Sequence, residues 1–197
     1  MTVSRLTWYD GCMDIAEHYT RVADGFSTTL EGVQDWSART PCEEWDADAL
    51  ARHVVDTTHR VLARLDGSEP SVLASDAPVV PAWKEARSQV EQALAERADQ
   101  EVDSWGRTVP FGQLVDTLLC ADTLLHTWDL ARATGQDDTL DLSAVSKAHA
   151  FLTPMGEAMR RPGGFGAEKP VEADASPQDR LLAFAGRQPE KGRQEDR

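Results

Sequence analysis

Two residues with metal-binding side chains, Asp122 and His126, lie four positions apart in the segment DTLLH. On an α-helix, a spacing of four residues brings two side chains to the same face, one turn apart. An imidazole nitrogen and a carboxylate oxygen are both ligands of divalent ions. The surrounding residues are apolar, and an unpaired carboxylate buried among them would be costly. The pair therefore predicts either a metal site or a plain hydrogen bond, and the spacing alone leaves both open.

A third candidate ligand is His53, in the segment DALARHVVD. Its neighbours Leu50 and Val54 belong to the apolar stripe of a predicted helix, so we expect the imidazole to point inward. A single histidine in such a position is more often bonded to a backbone carbonyl than to a metal. Two helices of one bundle that each present an inward polar residue favour a shared site instead. We therefore predict a divalent ion held by His53, Asp122 and His126.

Three protein ligands leave an open coordination position, which is typical of catalytic rather than structural zinc sites. Two histidines and a carboxylate suit zinc, and the same set suits nickel or iron(II). Asp129 follows His126 by three residues, and Asp56 follows His53 by three. Either carboxylate could accept the free imidazole N–H, and each could equally be a surface group. Cys42 has no histidine near it in a pattern typical of a nucleophile.

The elements that would position these residues are helices. Apolar residues at steps of three and four predict helices over about 8–34, 46–65, 82–98, 111–134 and 143–159, then a short closing helix capped by Ser176. The segment 101–112 alternates briefly, which indicates a strand or an extended connection. We predict an all-α fold, a four-helix bundle with a long crossover connection and additional C-terminal helices. Residues 1–187 would form this domain and residues 188–197 a disordered charged tail.

The composition excludes several classes of function. The net charge of −14, with lysines and arginines scattered along the chain, argues against nucleic-acid binding. Three cysteines with long spacings and no C-x-x-C motif predict free thiols in a reducing cytoplasm. No apolar run approaches the roughly 18 residues of a membrane span, so we expect a cytoplasmic protein without a membrane partner. Both a monomer and a homodimer remain open.

Three segments resemble one protein family. The segment TPCEEWDADALARHVVD (40–56) is similar to the T-P-C-x-x-W-x-x-x-x-L-x-x-H stretch of mycothiol-dependent maleylpyruvate isomerase-like proteins, within the DinB-like superfamily. The segment ADTLLHTWDLARATG (121–135) resembles that family's helix with the pattern D/E-x-x-x-H-x-W-D-L-A. Residues 161–189 are similar to the ending of its short, single-domain members.

The resemblance implies a DinB-like bundle that binds a divalent metal, usually zinc, through three residues. By position these match His53, Asp122 and His126. Relatives catalyse thiol-dependent isomerisation or thiol S-transfer with the low-molecular-weight thiols mycothiol or bacillithiol. The resemblance thus implies a metal-dependent isomerase or thiol S-transferase with a small-molecule substrate and mycothiol as a candidate cosubstrate.

Three other interpretations stay open. The ion could activate water for hydrolysis, although no general base is evident. The protein could be a non-catalytic metal- or small-ligand-binding protein with a stress or structural role. It could also be a metal-dependent tailoring enzyme of natural-product biosynthesis, in which the ion polarises a carbonyl.

Overall fold

The computed structural model describes residues 14–160 and 164–189, and most of them are helical. In chain order the elements are α1 (Ile15–Glu31), α2 (Ala47–Ala63), α3 (Val79–Arg97), β1 (Glu101–Ser104), β2 (Arg107–Pro110), α4 (Phe111–Leu114), a π-helical turn (Val115–Leu119), α5 (Cys120–Thr134), α6 (Leu142–Leu152), a 3-10 turn (Thr153–Met155), α7 (Gly156–Met159) and α8 (Pro177–Phe184). The predicted all-α fold is confirmed.

Four helices form the bundle, and their principal contacts follow the cyclic order α1, α3, α2, α5. The connection 32–46 crosses between α1 and α2, each of which packs against both α3 and α5. Beyond the bundle, α6 packs on α5 and α8 packs on α6, so the C-terminal part extends the same core. The DinB-like bundle with additional C-terminal helices is thus confirmed. Within the two described stretches of chain, no helix is long and apolar enough to cross a membrane.

Capping residues, a proline and a glycine set the ends of the bundle helices. The Asp46 carboxylate accepts a hydrogen bond from the Ala49 N–H at 2.9 Å and caps α2. Helix α3 begins at Val79, about one turn earlier than predicted, because the first-turn N–H groups of a helix need no internal partner and Pro81 is tolerated there. Gly135 stops α5 in the left-handed conformation, with φ of 67°.

The predicted fifth helix is interrupted. It was expected to run without a break to Met159, but α6 ends at Leu152, and a 3-10 turn and the short α7 follow. Pro154 explains the break, because proline has no backbone N–H and its ring clashes with the preceding turn. The segment 101–112 contains a β-hairpin, whose two turn residues, Trp105 and Gly106, both have positive φ.

Helix α4, the π-helical turn and α5 form one continuous helix over the predicted range. Its last part is buried nearly all round, as the apolar sequence predicted. The π-helical turn ends at Leu119, three residues before Asp122. Such turns occur frequently at functional sites.

Candidate metal centre

The structure brings together the three predicted ligands, which come from two facing helices. His53 projects from α2, and Asp122 and His126 project from α5 one turn apart. Oδ1 of Asp122 lies 3.5 Å from Nε2 of His53 and 3.7 Å from Nε2 of His126. All three ligand atoms lie within 4.8 Å of one another. Two imidazoles and a carboxylate thus converge on one point.

This geometry fits a divalent ion better than it fits direct hydrogen bonds. Both distances exceed the usual range for an N–H···O bond. Zinc ligands at about 2.0–2.1 Å in tetrahedral arrangement lie roughly 3.3–3.4 Å apart, close to the separations observed. Oδ2 of Asp122 is buried and has no hydrogen-bond partner among the residues that the structure describes. A buried carboxylate oxygen without a partner is costly unless a cation is bound beside it.

The imidazole of His126 is held by a buried charge network. Nδ1 of His126 lies 3.0 Å from Oδ2 of Asp129, whose side chain is 0% exposed. Arg187, which follows α8, donates to both oxygens of the same carboxylate, from Nη2 at 2.7 Å and from Nε at 3.2 Å. A carboxylate on Nδ1 keeps a proton there, so Nε2, which faces Asp122, is the nitrogen that a metal ion would bind once its own proton has left.

The network also sets the ionisation of these groups. Burial alone would lower the pKa of His126, but the carboxylates of Asp122 and Asp129 outweigh it and raise that pKa to about 10. Burial would raise the pKa of Asp129, but Arg187 and His126 hold it well below its usual range. Asp122 behaves in the same way: its pKa is lowered against the effect of burial, mainly by His126 and His53. A metal ion bound at Nε2 of His126 would therefore have to displace a proton.

His53 is positioned by an aromatic ring and a hydroxyl group. The Trp45 ring lies against the imidazole with centroids 4.4 Å apart and planes at 34°. Oγ1 of Thr57, one turn along α2, lies 3.4 Å from Nε2 of His53 and accepts a hydrogen bond from Arg60. The packing of Trp45 restricts the rotation of the His53 ring.

The two carboxylates proposed to orient the histidines are placed differently. Asp129 contacts His126, as described above. Asp56 instead accepts a hydrogen bond from the backbone N–H of Leu73 at 2.8 Å and so anchors the connection between α2 and α3. The reason is that the connection folds back over α2 at this point and offers a free backbone donor to the carboxylate.

Cys42 lies at the site, which the sequence did not indicate. Its thiol donates to Oδ2 of Asp129 at 3.4 Å, and its sulfur belongs with His126 and Asp129 to a second group of possible ligands. No histidine lies near Cys42 in the sequence, but His126 of α5 lies near it in the structure. The turn that carries Cys42 is held by Thr40, whose hydroxyl donates to the Trp45 carbonyl at 2.8 Å and accepts from the Cys42 N–H.

Arg187 is the second residue that sequence reasoning missed. It directly precedes the charged segment 188–197, with no periodic pattern around it, and no signal in the sequence could have paired it with Asp129. Two other arginines near the predicted site are engaged elsewhere. Arg52 pairs with Asp48 at 2.6 Å, and Arg132 pairs with Asp138 at 3.0 Å.

Comparison with known proteins identifies the family of the chain. Residues 19–131 match the family model described as the mycothiol maleylpyruvate isomerase N-terminal domain. The chain belongs to this family. The predicted resemblance is thereby confirmed, and the matched range contains His53, Asp122 and His126.

Sequence similarity to individual relatives extends over most of the chain. Two uncharacterized proteins from two strains of Mycobacterium tuberculosis are each 32% identical to it over 186 residues, covering 89% of this chain and 98% of theirs. No solved structure gave a significant match. Arg187 lies outside the range matched by the family model, so this part of the site belongs to the C-terminal segment.

Proposed function

We propose that the protein is a divalent-metal-dependent enzyme of the thiol-dependent isomerase or S-transferase type, with the ion held by His53, Asp122 and His126. The observation that supports this most directly is the Asp122 carboxylate: its Oδ1 faces two imidazole nitrogens, and its Oδ2 is buried with no protein partner in the described part of the chain. Zinc is the ion we favour, and nickel and iron(II) suit the same ligands. Membership of the family supports a low-molecular-weight thiol, mycothiol in the family's description, as cosubstrate.

The chemistry that a divalent ion would supply here is the lowering of the pKa of a coordinating thiol, so that it binds as the nucleophilic thiolate. The residues around the ligand group orient the two histidines and neutralise the buried carboxylate of Asp129. Asp129 keeps the proton of His126 on Nδ1 and directs Nε2 toward Asp122. Trp45 limits the orientations open to His53. Arg187 neutralises Asp129, so that this carboxylate stays in place without competing as a ligand.

The first experiment is elemental mass spectrometry on the purified protein, with wild type beside His53→Ala and His126→Ala. We expect about one equivalent of a divalent metal in the wild type and its loss in both variants. His59→Ala is the matched control, because His59 lies on α2 but outside the ligand group, and it should retain the metal. A wild type that is metal-free and resists reconstitution would contradict the proposal.

A second measurement separates a catalytic ion from a structural one. Removal of a structural metal unfolds its domain, whereas removal of a catalytic one leaves the fold intact. We expect chelation to abolish mycothiol consumption with an electrophilic substrate while the helical circular dichroism spectrum persists. Unfolding on chelation, without thiol turnover in the loaded protein, would favour the non-catalytic alternative. Turnover that needs the metal but no thiol would favour a tailoring enzyme.

A further inference from the structure

A small cleft that is open to solvent lies beside the candidate metal centre. Asp122 and His126 line one end of it, so the cleft and the ligand group share two residues. The remaining wall is formed by the π-helical turn, α5, α6, α7 and the segment 164–189. It is mostly apolar, through Leu118, Leu125, Leu152, Met159 and Phe165.

The charges at this cleft are already paired. Apart from the two ligands, the only charged side chain among the described lining residues is Arg187. Its Nε and Nη2 are used by Asp129, its Nη1 donates to the Ala185 carbonyl, and the side chain is only 9% exposed. The guanidinium thus forms a bidentate ion pair with the Asp129 carboxylate, which neutralises its charge. Apart from an ion at the ligand group, the described lining of the cleft consequently offers no spare cation to an anionic group.

We propose that this cleft binds an uncharged, apolar group of the substrate and holds the reacting atom at its Asp122 and His126 end. The position of the reacting atom rests on the proposed function, whereas the binding of an apolar group does not. A carboxylate seated among these apolar side chains would lose its hydration without gaining a free cation, which is unfavourable. A dicarboxylate such as maleylpyruvate, named in the family's description, could place one carboxylate on the ion, but its second carboxylate would then lie against the apolar wall, which therefore selects against it. Phe165 and Arg187 lie outside the family match, so this selectivity belongs to the C-terminal segment of this chain.

The test compares two probes that share a ring and differ in charge, toluene and benzoate. Each is titrated into the purified protein, before and after incubation with zinc, and binding is followed by the methyl NMR signals of Leu118, Leu152 and Met159. We expect toluene to shift these signals saturably and benzoate to bind at least about ten-fold more weakly. Ligation of benzoate to the ion would be seen separately, in the ring signals of His126.

Two variants locate the binding. Leu118→Phe fills the cleft from a partly buried position and should weaken toluene binding about ten-fold. The same substitution at Leu142, which is 63% exposed and outside the cleft lining, is the matched control and should leave it unchanged. Asp129→Asn frees the Arg187 charge and should increase benzoate binding at the methyl groups.

The outcomes are distinguishable from those of the metal experiment. Saturable toluene binding that is lost in Leu118→Phe supports the proposal, whether or not the sample contains metal. Benzoate that shifts the wild-type methyl signals as strongly as toluene overturns it, and so does the absence of saturable toluene binding. A protein that binds toluene but no metal refutes the proposed function and the placement of the reacting atom, and leaves the cleft's preference for apolar groups intact.

Discussion

Replacement of Arg187 by methionine is expected to destabilise the whole fold, because it leaves a buried charge without its partner. The Asp129 side chain is 0% exposed, and both of its oxygens accept from Arg187. Methionine keeps most of the apolar stem of arginine, so the change removes chiefly the guanidinium. Removing one partner of a buried ion pair typically costs about 3–5 kcal/mol. For a protein of this size, that corresponds to a fall in Tm of roughly 6–20 °C.

The assay is urea unfolding of the metal-free protein, followed by circular dichroism, with wild type, Arg187→Met, Asp129→Asn and the double variant. The double variant has no buried charge left unpaired, so its loss should be smaller than the sum of the single losses by about 2 kcal/mol. Arg64→Met serves as the control, because Arg64 pairs with an exposed Asp103 and its loss should change little. A single variant Arg187→Met that loses less than about 1 kcal/mol would refute the reasoning.

Three further predictions concern pH, the ligand histidine and the first helix. The pKa of Asp129 is raised by burial but lowered more by Arg187, so its folded value lies below the unfolded one of about 4. The ionised Asp129 therefore stabilises the fold fully above the unfolded pKa, and this stabilisation is lost as the pH falls through the folded pKa. Acid unfolding of Asp129→Asn should accordingly depend less on pH than that of the wild type. Trp45→Ala should weaken metal binding about ten-fold in a chelator competition, since the His53 ring loses its support, whereas Trp45→Phe should retain most of the affinity. Gly25→Ala should raise the free energy of unfolding by about 0.5–1 kcal/mol, because Gly25 is within α1 and an added methyl would make only ordinary contact at 3.9 Å.

The features that could be predicted from the sequence are those that depend on neighbours along the chain. The spacing of Asp122 and His126 determines that they share a helix face, and the apolar stripe around His53 turns that residue inward. Periodicity also predicted α2, α3 and the continuous helix from α4 to α5 to within about one turn. The first helix was predicted from about residue 8; residues 8–13 of that range lie outside the described residues, and α1 begins at Ile15. The break after Leu152 could have been foreseen, since Pro154 is not compatible with a regular helix interior.

The features that could not be predicted depend on contacts between distant segments. Asp129 is 87 positions from Cys42 and 58 from Arg187, and no local pattern reports either contact. The contact of Asp56 could not be predicted for the same reason, because its hydrogen bond to Leu73 depends on how a loop folds over α2. The sequence indicated which residues could bind a metal, but the charge that holds one of them in place had to be seen in three dimensions.

The ion pair between Asp129 and Arg187 has a consequence for how the chain can be divided. The family match ends at residue 131, yet the buried core continues through Val145, Leu181 and Leu182, all 0% exposed. A fragment cut at the end of the match would expose that apolar surface and leave Asp129 without its counter-charge. The range that the family model matches is thus smaller than the unit that folds. Domain dissection, insertion or fusion of this protein should preserve the chain at least as far as residue 189.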